Sequence, residues 1–334
     1  MKTTNKIFNC THKCMQPPLG ALIEFAPSAT LPETQSILYG NPQAVPSEKW
    51  FHEWLIGFIE GDGSFTVSKR GDLQFVITQG YQNIHVLYYI KMKLNLGRVV
   101  KQGVRTFRFV VQDEEGLKKI INFVNGWFVL PKTKRKLEKF IHAFNDHYCS
   151  SRPTGADSNK TDLLTVSPSR WGRAEPSLEN AWIAGFTDAE GCFSISYVTT
   201  KKKFNIRYLV SQQDDLTFLK QVFAGIGAVE YNKRYNCYSF VIGDWSSSKK
   251  RPLNIDIVIE YFRINPLLTT KRNSYALWFY LQNQIFHTKM TPEKQASVRV
   301  LCKLINENGS GKEGQRPQAL GDPSATESEG PKNL

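Results

Sequence analysis

No run of this sequence is long and apolar enough to cross a membrane. A spanning helix needs roughly 18 uninterrupted apolar residues, and the best stretch, Tyr275 to Phe286, is broken by Gln282, Asn283 and Gln284. Cysteine is sparse: Cys10, Cys14, Cys149, Cys192, Cys237 and Cys302 are spread over 334 residues without even spacing. In a chain of this size that reads as reduced thiols rather than a disulfide framework. Cys10, His12 and Cys14 offer three zinc ligands, but a tetrahedral structural site needs a fourth, and none lies nearby. The first 45 residues hold no Arg, so they do not read as an Arg-rich organelle presequence, nor do they contain a secretory apolar core. What is present excludes disorder for most of the chain: 41% hydrophobic and 12% aromatic residues are enough to build a packed interior. The length allows about two domains, each with its own core.

Basic residues outnumber acidic ones 43 to 30, a net charge of +13, which points to a polyanionic partner. That charge is not spread evenly. Residues 51–150 hold 15 bases and 9 acids, residues 181–290 hold 14 and 8, and the segments around them are close to neutral. The two basic blocks are also an internal repeat. Residues 54–65 read WLIGFIEGDGSF and residues 182–193 read WIAGFTDAEGCF, with Trp, Gly, Phe, Gly and Phe in matching places and both acidic positions kept acidic. Downstream, FVITQ (75–79) matches YLVSQ (208–212), LGRV (96–99) matches IGAV (226–229), FVV (109–111) matches FVI (240–242) and TKR (133–135) matches TKR (270–272). Such ordered agreement implies duplication of one unit.

Five segments follow: a loosely ordered leader (1–45), a first repeat (46–149), a Ser-, Pro- and Gly-rich linker (150–176), a second repeat (177–305), and a tail from 306 to 334, nearly devoid of apolar residues, that reads as disordered. Each repeat opens with Pro-Ser (Pro46-Ser47 and Pro176-Ser177), a helix N-cap signal. In the first repeat, alternation of Ser64, Thr66, Ser68 and Arg70 against Phe65 and Val67, and of Gln74 and Thr78 against Leu73, Phe75 and Ile77, predicts a strand pair with one polar face. A helix (84–94), a second strand pair (98–111) and helices from Glu114 and Lys134 complete an αββαββα unit of α+β class. The second repeat predicts strands near 192–198, 206–211, 229–232 and 238–242.

Gly57 and Gly61 share one helix face at i and i+4, as do Gly185 and Ala189. Small residues there let two helix backbones approach, so the motif helices are expected to pair around a pseudo-twofold. A helix closed by a left-handed Gly would explain Gly63 and Gly191, but it leaves Asp62 and Glu190 unexplained. An acid in the last turn faces the negative end of the helix dipole and calls for a cation. Paired helices would bring Asp62 and Glu190 together beside the backbone carbonyls of Gly61 and Ala189, an all-oxygen set suited to Mg²⁺.

These two motifs resemble the LAGLIDADG motif, and residues 47–290 are similar to single-chain, two-motif LAGLIDADG homing endonucleases of the type encoded in organellar group I introns. The resemblance implies two four-stranded antiparallel sheets forming a DNA-binding saddle. It puts Asp62 and Glu190 at the metal-binding acid position, Gln79 and Gln212 beside the active-site waters, and Lys134 and Lys271 near the scissile phosphates. Gly80-Tyr81-Gln82-Asn83 and Gln213-Asp214-Asp215 lack the further basic residue that some members place there, so transition-state charge would fall to the two lysines and the metals. His52, His85 and His142 do not recur between repeats and read as surface or core residues.

The implied reaction is in-line hydrolysis of one phosphodiester on each strand of a long double-stranded DNA site with Mg²⁺, for which Mn²⁺ would substitute. Base contacts are expected from Ser64, Thr66, Ser68, Arg70, Gln74, Thr78, Gln102 and Arg108 in one repeat and from Ser194, Ser196, Arg207, Ser211, Asn232 and Arg234 in the other. Because the repeats differ at most of these places, the site should be asymmetric. An RNA maturase acting on its own group I intron is the alternative function. The resemblance also implies a monomer that does not bind membranes and is encoded in an organelle, a mitochondrion ahead of a chloroplast.

Overall fold

The computed structural model describes residues 47–149, 163–167, 175–249 and 252–309. The expected leader, most of the expected linker and tail, and the Cys10–Cys14 cluster lie outside the described residues. Helix α1 (Glu48–Asp62) starts where Ser47 accepts the Trp50 N–H at 3.1 Å, with Glu48 on the positive end of the dipole. Nine of its 15 residues are buried, from Phe51 to Glu60. It is hydrophobic on all sides and runs through the interior.

Strands β1 (Gly63–Val67) and β2 (Leu73–Gly80) follow as a hairpin, with Ser64 opposite Val76 and Thr66 opposite Gln74. After a 3₁₀ turn at Tyr81–Asn83 come α2 (Ile84–Leu94), β3 (Arg98–Lys101), β4 (Thr106–Val111), α3 (Glu114–Val124) and α4 (Pro131–Phe144). Asp113 caps α3 by accepting the Gly116 N–H at 2.7 Å. The expected helix from Lys134 begins one turn earlier, because Pro131, which has no N–H to lose, occupies the first helical position.

The second half repeats the order with α5 (Trp182–Glu190), β5 (Gly191–Val198), β6 (Lys203–Gln212), the short α6 (Phe218–Val222), β7 (Ala228–Asn232), β8 (Cys237–Trp245), α7 (Asp256–Ile264) and α8 (Lys271–His287). The two antiparallel sheets have matching orders, β1-β2-β4-β3 and β5-β6-β8-β7. One cluster of buried apolar side chains draws on both halves, with Trp54, Trp182 and Trp278 fully enclosed.

Three expectations are corrected. Ser177 does not cap α5, which starts five residues later at Trp182 with no side-chain cap from Ala181. Tertiary partners replace the cap: Glu53 accepts the Ala181 N–H at 3.2 Å, and the Tyr261 hydroxyl accepts the Ala184 N–H at 2.9 Å while donating to the Asn180 carbonyl at 2.8 Å. Ser68 and Arg70 are not strand residues, since β1 ends at Val67. The Ser68 hydroxyl oxygen closes the turn by accepting the N–H groups of Arg70 and Asp72. Nor does regular structure stop before Asn306: a further helix, α9 (Pro292–Gly309), takes in 306–309, buries Val298, Cys302 and Ile305 and packs on β5 and α8. Their i, i+4, i+7 spacing was the available signal. Among the described residues no helix is long and apolar enough to cross a membrane.

Candidate active site at the paired helix ends

The site begins with the contact between α1 and α5. A side-chain carbon at Gly57 would lie 2.1 Å from the Trp182 carbonyl oxygen, and one at Gly185 would lie 1.8 Å from that of Trp54. The obstacle in both cases is backbone, so only glycine lets the helices meet. The reciprocal contacts make the crossing pseudo-symmetric. One turn on, a Gly61 side chain would fall 2.3 Å from the Ala189 Cβ and 2.9 Å from the Glu190 Cγ. Gly63 and Gly191 are not left-handed caps; their φ values are −80° and −79°. They are needed because a Cβ would strike the carbonyls of Ile59 and Thr187, at 2.7 and 2.8 Å, as each helix turns directly into a strand.

The first acid of each motif, Glu60 or Asp188, was matched in the repeat but assigned no role from sequence. Each braces the crossing. Glu60 accepts the Val129 and Leu130 N–H groups at 2.7 and 2.6 Å and the Trp182 indole N–H at 2.7 Å. Asp188 accepts the Leu268 and Thr269 N–H groups at 2.8 and 2.9 Å, the Thr269 hydroxyl at 2.5 Å and the Trp54 indole N–H at 2.9 Å. Each helix therefore presents an indole to the other's carboxylate, and the carboxylates pin the loops before α4 and α8. Burial raises both acids; these donors offset it only in part, leaving Glu60 at about 7.

The second acids, Asp62 and Glu190, come together at the C-terminal ends of the pair. Gln79 donates its side-chain amide to Asp62 at 2.5 Å, and Gln212 donates to Glu190 at 3.3 Å. Lys271 lies among them. Its ammonium donates to the Thr187 carbonyl at 3.1 Å and the Ala189 carbonyl at 2.6 Å, so the Ala189 oxygen expected to face a metal holds this cation here. Burial raises Asp62 above the usual carboxylate range, with Lys271 opposing; burial and then the Asp62 charge raise Glu190. Lys271 is lowered by burial and raised by Asp188, Asp62 and Glu190. Two half-buried carboxylates brought together, with the Asp62 charge raising Glu190, suit a hard divalent cation. Among the described residues no cluster of three or more His, Cys, Asp or Glu forms, so Asp62 and Glu190 would share such an ion with carbonyl, water or phosphate oxygens.

Lys134 is not brought to this site. It is exposed on α4 and lines a cleft with Phe128, Glu175, Asp215 and Phe218. The pinned loops explain the error. Counted from the last N–H held by the buried acid (Thr269 in one half, Leu130 in the other), Lys271 stands two residues on, and so does Lys132. It is Lys132 whose charge stabilises the Glu190 carboxylate and whose ammonium donates to Gln213. The Thr-Lys-Arg match misled by two residues. His52 and His85 lie apart, with ring nitrogens against the carbonyls of Phe123 and Leu268.

On the first sheet's outer face, Ser64, Thr66, Gln74, Thr78 and Arg108 share one side by register, and Arg98, not foreseen, joins them opposite Val110. Val76 and Val110 occupy the same face and are buried, so its middle is apolar. Gln102 sits at the turn after β3. On the second sheet Ser194, Ser196, Arg207, Ser211 and Asn232 are joined by Asn205 and Ser239, with Ser211 and Ser239 bonded at 2.8 Å. Arg234 lies in the β7–β8 turn over the Tyr235 ring. Among the described residues the Nε atoms of Arg108 and Arg207 are buried and lack a hydrogen-bond partner. Each is a guanidinium on a sheet face with unused donor capacity.

The LAGLIDADG endonuclease family model matches twice, over residues 55–144 and 183–281. The chain belongs to this family. Among curated proteins it is similar to the probable intron-encoded endonuclease 4 of Neurospora crassa, with 33% identity over 269 residues, 78% of this chain and 45% of that protein. An uncharacterized cox1 intron-2 protein of Schizosaccharomyces pombe is 28% identical, covering 70% of this chain and 65% of its own length. The intron-encoded RNA maturase bI4 of Saccharomyces cerevisiae is 27% identical, covering 61% and 28%. The chain thus spans less than two thirds of the length of these relatives. Among solved structures, the LAGLIDADG meganuclease I-AabMI bound to uncleaved DNA has a TM-score of 0.58 at 19% identity, covering 77% of this chain and 98% of that one. The homing endonuclease I-GzeII in complex with its DNA target has a TM-score of 0.55 at 16% identity, covering 75% and 97%.

Proposed function

We propose that the chain is a site-specific homing endonuclease that hydrolyses both strands of a long, asymmetric double-stranded DNA site and thereby promotes the mobility of its intron. The observation that carries this reading is the meeting of Asp62 and Glu190 at the ends of two glycine-paired helices, with Lys271 between them. Asp62 and Glu190 would hold Mg²⁺, with Mn²⁺ able to substitute. When bound, the ion would lower the pKa of a coordinated water and offset charge on the leaving oxygen. Lys271 offsets charge on the phosphate undergoing attack, and Lys132 does so from the other side. Gln79 and Gln212 orient the two carboxylates. The sheet faces hold the duplex, with Arg108 and Arg207 among the groups that meet bases or phosphates. Both repeats lie in one chain, so a monomer supplies both halves. The relatives' names tie them to introns, and we place the reading frame in an organellar gene, mitochondrial ahead of chloroplast.

The test is incubation of the purified chain with the intronless form of its host gene. One double-strand break at the exon junction is expected with Mg²⁺ and none in EDTA; a cut that persists in EDTA contradicts the reading. A second reading, as a splicing cofactor for its own group I intron RNA, is favoured by the similarity to bI4. It predicts that splicing survives Asp62→Asn.

A further inference from the structure

Neither glutamine beside a carboxylate stands alone; each is the end of a hydrogen-bonded chain that starts in the opposite half. In the first, the Thr270 backbone N–H donates to Asn83 Oδ1 at 2.9 Å, Asn83 Nδ2 donates to Gln79 Oε1 at 3.1 Å, and Gln79 Nε2 donates to Asp62 Oδ2 at 2.5 Å. Its direction is not arbitrary. A backbone N–H can only donate and a carboxylate can only accept, so both amides between them have one permitted orientation each. In the second chain, Lys132 donates its ammonium to Gln213 and its N–H to Asp214 at 3.3 Å, the Gln213 N–H donates to Gln212 Oε1 at 2.8 Å, and Gln212 Nε2 reaches Glu190. Both chains begin just after the loop that a buried motif acid pins. Asp188 holds Leu268 and Thr269 just before Thr270, and Glu60 holds Val129 and Leu130 just before Lys132.

We propose that Asn83 is a positioning residue: it transmits the placement of the second half's 268–270 loop to the first half's Asp62 by fixing which end of the Gln79 amide faces the carboxylate. The two sites also depend on this kind of link to different degrees. The Asp62 chain has a side chain, Asn83, as its middle element, whereas the Glu190 chain passes through the backbone N–H of Gln213. A side-chain substitution can undo the direction of the first and cannot undo that of the second. Asn83→Asp replaces the donor toward Gln79 with an acceptor, so the Gln79 amide, now between two carboxylates, loses its single permitted orientation.

The proposal rests on the nuclease reading for its rate measurement alone; its structural measurement does not need cleavage. Side-chain amide signals of ¹⁵N-glutamine-labelled, metal-free protein, with Gln79 assigned through Gln79→Glu, are expected to show a moved or broadened Gln79 signal in Asn83→Asp. The Gln212 signal should hold its position, and the melting temperature should stay within about 2 °C. Single-turnover cleavage should fall about 10- to 100-fold in Asn83→Asp at unchanged DNA affinity. A Gln79 signal that does not respond to Asn83→Asp overturns the proposal, as does cleavage by Asn83→Asp at the wild-type rate. If wild-type protein does not cleave while the Gln79 signal moves, the nuclease reading fails and the positioning role of Asn83 stands.

Discussion

The two halves share strand order, glycine crossing and acid–indole braces, yet differ in how they bring a cation to the centre. In the second half the anchored loop delivers Lys271 at the start of α8 into the carbonyls of Thr187 and Ala189, where it is buried against both functional carboxylates. In the first half α4 has begun a turn earlier, Lys134 is exposed and its charge acts on Glu60, and Lys132 acts on Glu190 from a half-buried position. Asp62 and Glu190 therefore share one half-buried ammonium, on which Asp188 acts as well. Duplication has kept the frame that positions the acids, while the charge that faces them has become unequal, and the remaining negative charge is what would draw in a divalent ion.

The largest expected effect tests what the halves share. Gly57→Leu and Gly185→Leu should each prevent recovery of folded monomer, because overpacking that typically costs about 1–3 kcal/mol is met here by backbone that cannot rotate away. Gly185→Leu should be the worse, its clash being 1.8 Å against 2.1 Å. Cooperative wild-type-like melting of either variant would show that the helices do not cross at these residues.

The unequal cations come next. Lys271→Met should reduce cleavage by about 100-fold or more, the range seen when one charge-stabilising donor is lost. Lys132→Met should reduce it about 10-fold and Lys134→Met less than 2-fold. Single-turnover rates on one duplex decide the order, and a Lys134 effect equal to that of Lys271 would restore the symmetric arrangement that the repeat alone suggests.

The braces allow a finer comparison. Trp182→Phe leaves Glu60 with two donors, whereas Trp54→Phe leaves Asp188 with three. Loss of a hydrogen bond to a charged group is worth about 1.5–3 kcal/mol, so denaturant midpoints should place Trp182→Phe at the upper end and Trp54→Phe at the lower. The braces also set a pH dependence. With Glu60 at about 7 when folded and near its ordinary value of 4.5 when unfolded, the folded chain holds a proton that the unfolded chain has released. Stability should therefore fall as pH rises between these values and level off above. Glu60→Gln should flatten that part of the curve; an unchanged slope would assign it to another group.

Much of this was legible in sequence because duplication makes a pattern visible twice. The helix pair and the meeting of Asp62 with Glu190 follow from residues that recur in step, while the four-stranded sheets and the place of the two glutamines are what the family resemblance implies. What was not legible depends on contacts distant along the chain. Glu60 and Asp188 recur as clearly as Asp62 and Glu190, but their role depends on indoles 122 and 134 residues away. Lys134 was aligned correctly as a string and misplaced in space, since the anchors that define its register are N–H groups, which carry no residue identity. Ser177 failed as a cap because a tyrosine from α7 took over. Arg98 was passed over because its place on the sheet face follows from register with Val110, not from its own alternation.

The central claim is that Asp62 and Glu190 form one metal-dependent centre that is separate from the surfaces holding DNA. Cleavage and duplex affinity should be measured together for wild type, Asp62→Asn and Glu190→Gln, with Ca²⁺ for binding and Mg²⁺ for cutting. An amide cannot supply the negative oxygen a hard cation requires, so the account predicts that each substitution abolishes cutting while affinity stays within about 3-fold. Full cutting by either variant, or loss of affinity in step with loss of cutting, would contradict it.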